Sequence, residues 1–153
     1  MGLDMMLYKV EREEIAYWIK ANAIHGWFER RLVPEGEEMK DCRFYHIEKE
    51  DLLDLKSDCE KVLKASKLVE ETVQMKQYNY ETRAYEIVPT TRLMIDDPTV
   101  AMKLLPTQNG FFFGSTMYDD DYLHILENTI EQIDQILDTV DFDVYDLKYK
   151  AEW

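Results

Sequence analysis

Trp18, Asn22, His25 and Glu29 recur at i, i+4, i+7 and i+11. On a helix turning about 100° per residue, that spacing gathers them on one shoulder. An aromatic, an amide, an imidazole and a carboxylate in one row can form a pocket wall. Trp18 would stack a planar ligand, Asn22 and His25 would hydrogen-bond it, and Glu29 would orient His25. In an enzyme the same row would make His25 a general acid or base assisted by Glu29. A plainer reading also stands: the row packs a tyrosine-rich loop and satisfies its backbone.

A second candidate lies in Pro106–Thr116, where Gly110 and Gly114 bracket three phenylalanines. Gln108, Asn109, Ser115 and Thr116 supply donors and acceptors beside the glycines. The segment has no Gly-Lys-Ser/Thr and no GxGxxG, so it is not a phosphate loop. Ser115 also lacks the Gly-x-Ser-x-Gly frame of a nucleophile elbow. The expected structure is a turn, a short buried strand at 111–113 and a second turn.

Metal and thiol chemistry find less support. Cys42 and His46 stand four apart, without the paired spacing of structural zinc, even with His25 as a third ligand. Asp119, Asp120 and Asp121 lack the alternating loop and distal Glu of a calcium site, and instead suit a helix start. Nothing local brings Cys42 to His25 as nucleophile and base. No metal and no cofactor are expected.

The elements that would position these residues follow from periodicity. Leu3–Tyr8 reads as a first strand. Apolar Tyr17, Ala21, Ile24, Phe28 and Leu32 predict a first helix over 13–32, ended by Pro34 and Gly36. Residues 42–47 are an extended candidate. Leu52, Leu55, Cys59, Val62, Ser66 and Val69 share one stripe of a second helix over 50–69, which makes Cys59 a core residue. Residues 74–95 read as a hairpin-like excursion. Asp97-Pro98 starts a short helix ending before Pro106. Leu123, Leu126, Ile130, Ile133, Leu137 and Val140 predict a third long helix over 120–139. The alternation from Tyr145 to Trp153 is the clearest strand. The fold class is α+β: one domain over 1–153, with about three amphipathic helices on one face of a small, mainly antiparallel sheet that includes both terminal strands.

The chain has 153 residues, 46% hydrophobic and 33% charged, which suits one domain with a real core. Its net charge of −14 argues against direct contact with a nucleic-acid backbone. Two cysteines make no disulfide framework. The opening Met1–Tyr8 has neither signal-peptide nor myristoylation pattern, and no apolar run suits a membrane span, so a soluble cytoplasmic protein is expected. Between Leu104 and Leu147 there are ten acids and no Lys or Arg, seven of them on or just before the third helix. Such a face usually serves solvation. It also allows a rival function, inhibition of a host nucleic-acid-binding protein by mimicry.

Three stretches carry a family resemblance: Met1–Met5, Tyr17-Trp18-Ile19-Lys20-Ala21-Asn22-Ala23-Ile24-His25-Gly26-Trp27-Phe28, and Leu104–Thr116 with Tyr118-Asp119. The chain resembles a family of small bacteriophage and prophage proteins. Members share the Met-Gly-Leu-Asp-Met start, Tyr-Trp-Arg-Lys-Ala-Asn-x-Ile-His-x-Trp-Phe and Leu-Leu-Pro-Thr-Gln-x-Gly-Phe-Phe-Phe-Gly-Ser-Thr. Here Ile19 replaces the usual arginine, so no role of that arginine carries over. The resemblance implies a phage origin and no particular reaction. With the residue pattern, it leads to the expectation of a non-catalytic phage accessory protein of the bacterial host cytoplasm. A pocket of Trp18, Asn22, His25, Glu29, Gln108 and Ser115 would bind a small polar ligand or a host protein.

Overall fold

A computed structural model describes residues 2–9 and 13–153. Among the described residues the elements are β1 (Asp4–Lys9), β2 (Glu13–Ile19), α1 (Asn22–Leu32), β3 (Tyr45–Ile47), α2 (Lys49–Ala65), β4 (Leu68–Asn79), β5 (Ala84–Ile95), α3 (Thr99–Leu104), α4 (Asp120–Thr139) and β6 (Leu147–Glu152). The architecture is a single α+β domain, as expected. A four-stranded sheet has the order β2-β1-β6-β3 with every pair antiparallel, so the terminal strands β1 and β6 are central neighbours. β4 and β5 form a separate two-stranded ribbon. No described helix is long and apolar enough to cross a membrane.

β6 shows why the sheet has an inner face. Leu147, Tyr149 and Ala151 are buried, and Lys148, Lys150 and Glu152 between them are only half-buried. This period-2 alternation places alternate side chains against the helices. Phe28 of α1 stacks on Tyr149 with ring centroids 4.2 Å apart. α4 meets the other end of the sheet, where Gln132 donates to and accepts from the Tyr17 backbone. α4 starts at Asp120 and ends at Thr139, as its apolar spacing predicted. The Asp119 carboxylate caps it by accepting the Tyr122 N–H at 3.0 Å.

The first helix is a correction. Residues 13–19 are strand β2, paired with β1 from Asp4↔Ile19 to Lys9↔Glu13, and only 22–32 are helical. Of the apolar row only Tyr17 lies in this segment, and its spacing of four to Ala21 satisfies a period of 2 as well as one of 3.6. The buried Ala16 and Trp18 alternate with exposed Tyr17 and Ile19, and this pattern belongs to the strand. Lys20 at φ 53° breaks the strand, with its N–H donated to the Leu3 carbonyl at 2.8 Å.

Other boundaries also move, with β3 confined to Tyr45–Ile47 and β6 to Leu147–Glu152, and one element changes type. α2 ends at Ala65, where Ser66 leaves the helix in an extended conformation and Val69 belongs to β4. The excursion is a regular hairpin and longer than expected, each strand having 12 residues in unbroken register from Leu68↔Ile95 to Asn79↔Ala84. The expected buried strand at 111–113 is instead a turn. Phe113 N–H donates to the Gly110 carbonyl, Phe112 has φ 65°, and Phe111 is 84% exposed. An apolar triplet does not make a strand where its backbone has one bond toward the sheet, here the Leu3 N–H to the Phe112 carbonyl at 3.3 Å, and no ladder.

Candidate functional site

The β2–α1 junction and the 106–116 loop meet through one side chain. Asn22, the first residue of α1, donates to the carbonyls of Phe113 at 3.0 Å and Ser115 at 2.9 Å. Its Oδ1 accepts the Gln108 N–H at 2.9 Å. Gly114 completes the join: it has φ 90°, and a Cβ there would stand 3.0 Å from that of Lys20. The two segments singled out in the sequence are therefore in contact.

Their candidate residues do not all face one space. His25, Glu29 and Gln108 border a cleft of about 360 Å³, walled by Phe113 and Trp153 and rimmed by Glu38 and Asn109. Asn22 and Ser115 border a different cavity of only about 50 Å³. Trp18 borders a third hollow and is 3% exposed.

These positions correct four expected roles. Trp18 is on β2 rather than on the helical shoulder, and its indole N–H donates to Thr129 Oγ1 at 2.9 Å. It is a core residue with no free face for stacking. Asn22 holds backbone and has no amide group left for a ligand. Ser115 Oγ accepts the Met117 N–H at 3.1 Å. Glu29 does not orient His25, because its Oε2 accepts the Met39 N–H at 3.0 Å.

Tyr149 has that orienting role. Its hydroxyl lies 2.6 Å from His25 Nδ1. Tyr149 is fully buried, and this is its hydroxyl's one hydrogen bond among the described residues. The phenolic proton therefore goes to Nδ1, since a buried hydroxyl left without an acceptor carries a desolvation cost. A neutral imidazole that accepts at Nδ1 carries its own proton on Nε2. No described protein group bonds Nε2, and no buried side-chain nitrogen or oxygen is left without a partner. Nε2–H is thus the group that His25 offers to the cleft.

Burial holds the imidazole in this neutral form, lowering its pKa to about 4, while the nearby Glu29 carboxylate acts in the opposite direction. Burial likewise raises the Tyr149 phenol well above its usual value. The Phe113 and Trp153 rings meet the imidazole edge-on, at centroid distances of 5.7 and 5.2 Å. The cleft combines a fixed N–H donor, the Gln108 and Asn109 amides, two aromatic walls and the carboxylates of Glu29 and Glu38.

Sequence reasoning missed Tyr149, Trp153 and Phe113 as site residues. A signal for the first two was present: with Ala151 they form every second residue of the last strand, so they share a face. Phe113 gave no such signal.

The metal and thiol candidates resolve in structural terms. Oxygens of Asp119, Asp120 and Asp121 lie within 4.8 Å of one another. Arg92 Nη2 already stands among them, 2.9, 3.9 and 3.4 Å from the three carboxylates. Cys42, His46 and His25 form no ligand cluster among the described residues. Cys42 is exposed and its thiol donates to Asp41, and Cys59 is buried with its pKa pushed up to about 12. On α4, Asp134 pairs with Lys56, and Glu127, Glu131 and Asp138 face solvent.

Comparison of the chain with models of protein families, with curated proteins and with solved structures gave no match.

Proposed function

We propose that this chain is a non-catalytic accessory protein, of phage origin as its resemblance implies and working in the bacterial host cytoplasm. It binds a small polar ligand in the cleft beside His25. The observation that carries this reading is the His25 Nε2–H, fixed by Tyr149 and offered between two aromatic walls. A donor pre-oriented by a buried partner loses little entropy when a ligand accepts from it. The carboxylates of Glu29 and Glu38 favour a neutral or cationic ligand with an acceptor for His25, and an ammonium group would also suit the faces of Phe113 and Trp153. A cleft of this volume holds a metabolite-sized molecule.

The same features favour binding over proton transfer. An imidazole with a pKa of about 4 is neutral near pH 7, and with its proton on Nε2 it has no lone pair to act as a base toward the cleft.

The test is a Trp153 fluorescence or NMR titration with a panel of small amines, amino acids, amides and nucleosides. Saturable binding tighter than about 1 mM, weakened by Gln108→Ala in either readout and abolished by Trp153→Ala in the NMR titration, supports the proposal. A panel with no response below millimolar concentration rejects it.

A further inference from the structure

On the far side of α1 lies a second cleft, of about 440 Å³, closed in by α2 and α3. Its charge is opposite to that of the protein. Four cations, Arg30, Arg31, Lys61 and Lys103, line it against two carboxylates, Asp54 and Asp58, in a chain of net charge −14.

Both carboxylates are engaged. Asp54 accepts from Arg31 at 2.7 Å, and Arg31 also donates to Asp51 at 2.8 Å. Asp58 accepts the Trp27 indole N–H at 2.9 Å and lies 3.8 Å from Lys61. Arg30 and Lys103 form no ion pair among the described residues. Arg30 is an exposed residue; burial around its guanidinium draws its pKa down, and the nearby Glu29 and Asp58 carboxylates act in the opposite direction. It lies back along α1 over Gly26, where a Cβ would meet its Nη1 at 3.1 Å and the Gln108 amide at 2.8 Å. Gln108 therefore separates this cleft from the one beside His25.

Arg30 and Lys103 bring two cations without an ion pair to one cleft, and the Ser57 hydroxyl adds a further donor. We infer that this cleft binds the phosphate dianion of a small phosphate monoester, held by Arg30 and Lys103. Of the four cations lining the cleft, these are the two without an ion pair among the described residues, and a guanidinium fork matches two phosphate oxygens. The volume leaves room for the organic part of the ester. The inference is independent of the reading of the His25 cleft.

The experiment is an NMR titration of the whole chain at low ionic strength, since salt screens such contacts. The Trp27 indole N–H, fastened to Asp58 on the cleft wall, is the reporter. The probes are phenyl phosphate, inorganic phosphate and, as neutral control, phenol. Phenyl phosphate is expected to saturate below about 1 mM, and Arg30→Gln or Lys103→Gln to weaken it by about tenfold each. Lys64→Gln, an exposed charge outside the cleft, should change it less than about twofold. Tighter binding of phenyl phosphate than of inorganic phosphate supports the monoester. Equal affinity overturns the monoester and leaves a free-phosphate site. Phenol shifts equal to those of phenyl phosphate, a response that never saturates, or unchanged affinity in a folded Arg30→Gln variant would overturn the anion site itself.

Discussion

Tyr149 donates its hydroxyl proton to His25 across 2.6 Å, joining the centre of β6 to the middle of α1 through two side chains that are both 1% exposed or less. The bond sets the tautomer of His25 and binds helix to sheet. Tyr149→Phe removes the donor and leaves Nδ1 buried without a partner. The expected cost is about 1–3 kcal/mol. At roughly 2–4 °C per kcal/mol for a chain of this size, the melting temperature should fall measurably in a thermal scan. An unchanged melting temperature would contradict the assigned bond.

The lowered pKa of His25 makes stability depend on pH in a known direction. The folded value of about 4 lies below the unfolded value of 6.5, so between them the unfolded chain binds more protons. The stabilisation is complete above about pH 6.5 and is lost as pH falls through 4. The difference amounts to roughly 3 kcal/mol. Urea unfolding of wild type and His25→Gln from pH 7.5 to 4 isolates it, because carboxylate effects are common to both. The stability gap between the two should hold down to about pH 6.5 and narrow from there toward pH 4. A gap constant across that range would be inconsistent with a neutral buried imidazole.

Asn22→Ala removes three hydrogen bonds at once and leaves the Phe113 and Ser115 carbonyls and the Gln108 N–H without their partner. At about 1 kcal/mol for each, the loss is about 3 kcal/mol. Amide exchange should rise most in the 106–116 loop, because that segment is released from α1. Loss spread evenly through the sheet would show that Asn22 has no special hold on the loop.

Gly26→Ala separates binding from stability. Alanine is favoured over glycine within a helix by up to about 1 kcal/mol. The new Cβ would stand 2.8 Å from the Gln108 amide, a flexible end that can move aside. The melting temperature should hold or rise, and affinity for a ligand in the His25 cleft should fall. A variant that keeps full affinity would remove Gln108 from that site.

The outer ribbon should be dispensable for folding. Every residue from 76 to 87 except Asn79 is exposed, and none of them belongs to the core cluster, whose nearest members are Leu68 and Ile95. Arg92, beside the ribbon's root, keeps its bond to Asp119 if the strands are cut higher. Replacing Gln74–Pro89 by Asn-Gly, which joins the paired residues Val73 and Thr90 through a two-residue turn, should change stability by less than about 1 kcal/mol in chemical unfolding. A larger loss would mean that the ribbon supports the body.

Parts of this structure were legible because the signal is local. α4 declared itself by an apolar row sustained over twenty residues with an aspartate in front, and β6 by strict alternation. Residues 13–19 misled because a spacing of four fits a strand and a helix alike, and pairing with β1 decided between them. Phe111–Phe113 misled because apolar character says nothing about whether a sheet edge is near.

By itself, the sequence determined the α+β class, the antiparallel sheet built on both terminal strands and the two segments where polar groups gather. It did so because periodicity and capping act between near neighbours in the chain. Tertiary structure alone decided what each polar group does. Asn22 is fastened to a loop 86 to 93 residues away, Trp18 to Thr129 at a separation of 111, and His25 to Tyr149 at 124. A side chain in the row stays available to a ligand only if packing leaves one of its hydrogen-bonding atoms without a partner, and that depends on residues a hundred positions away.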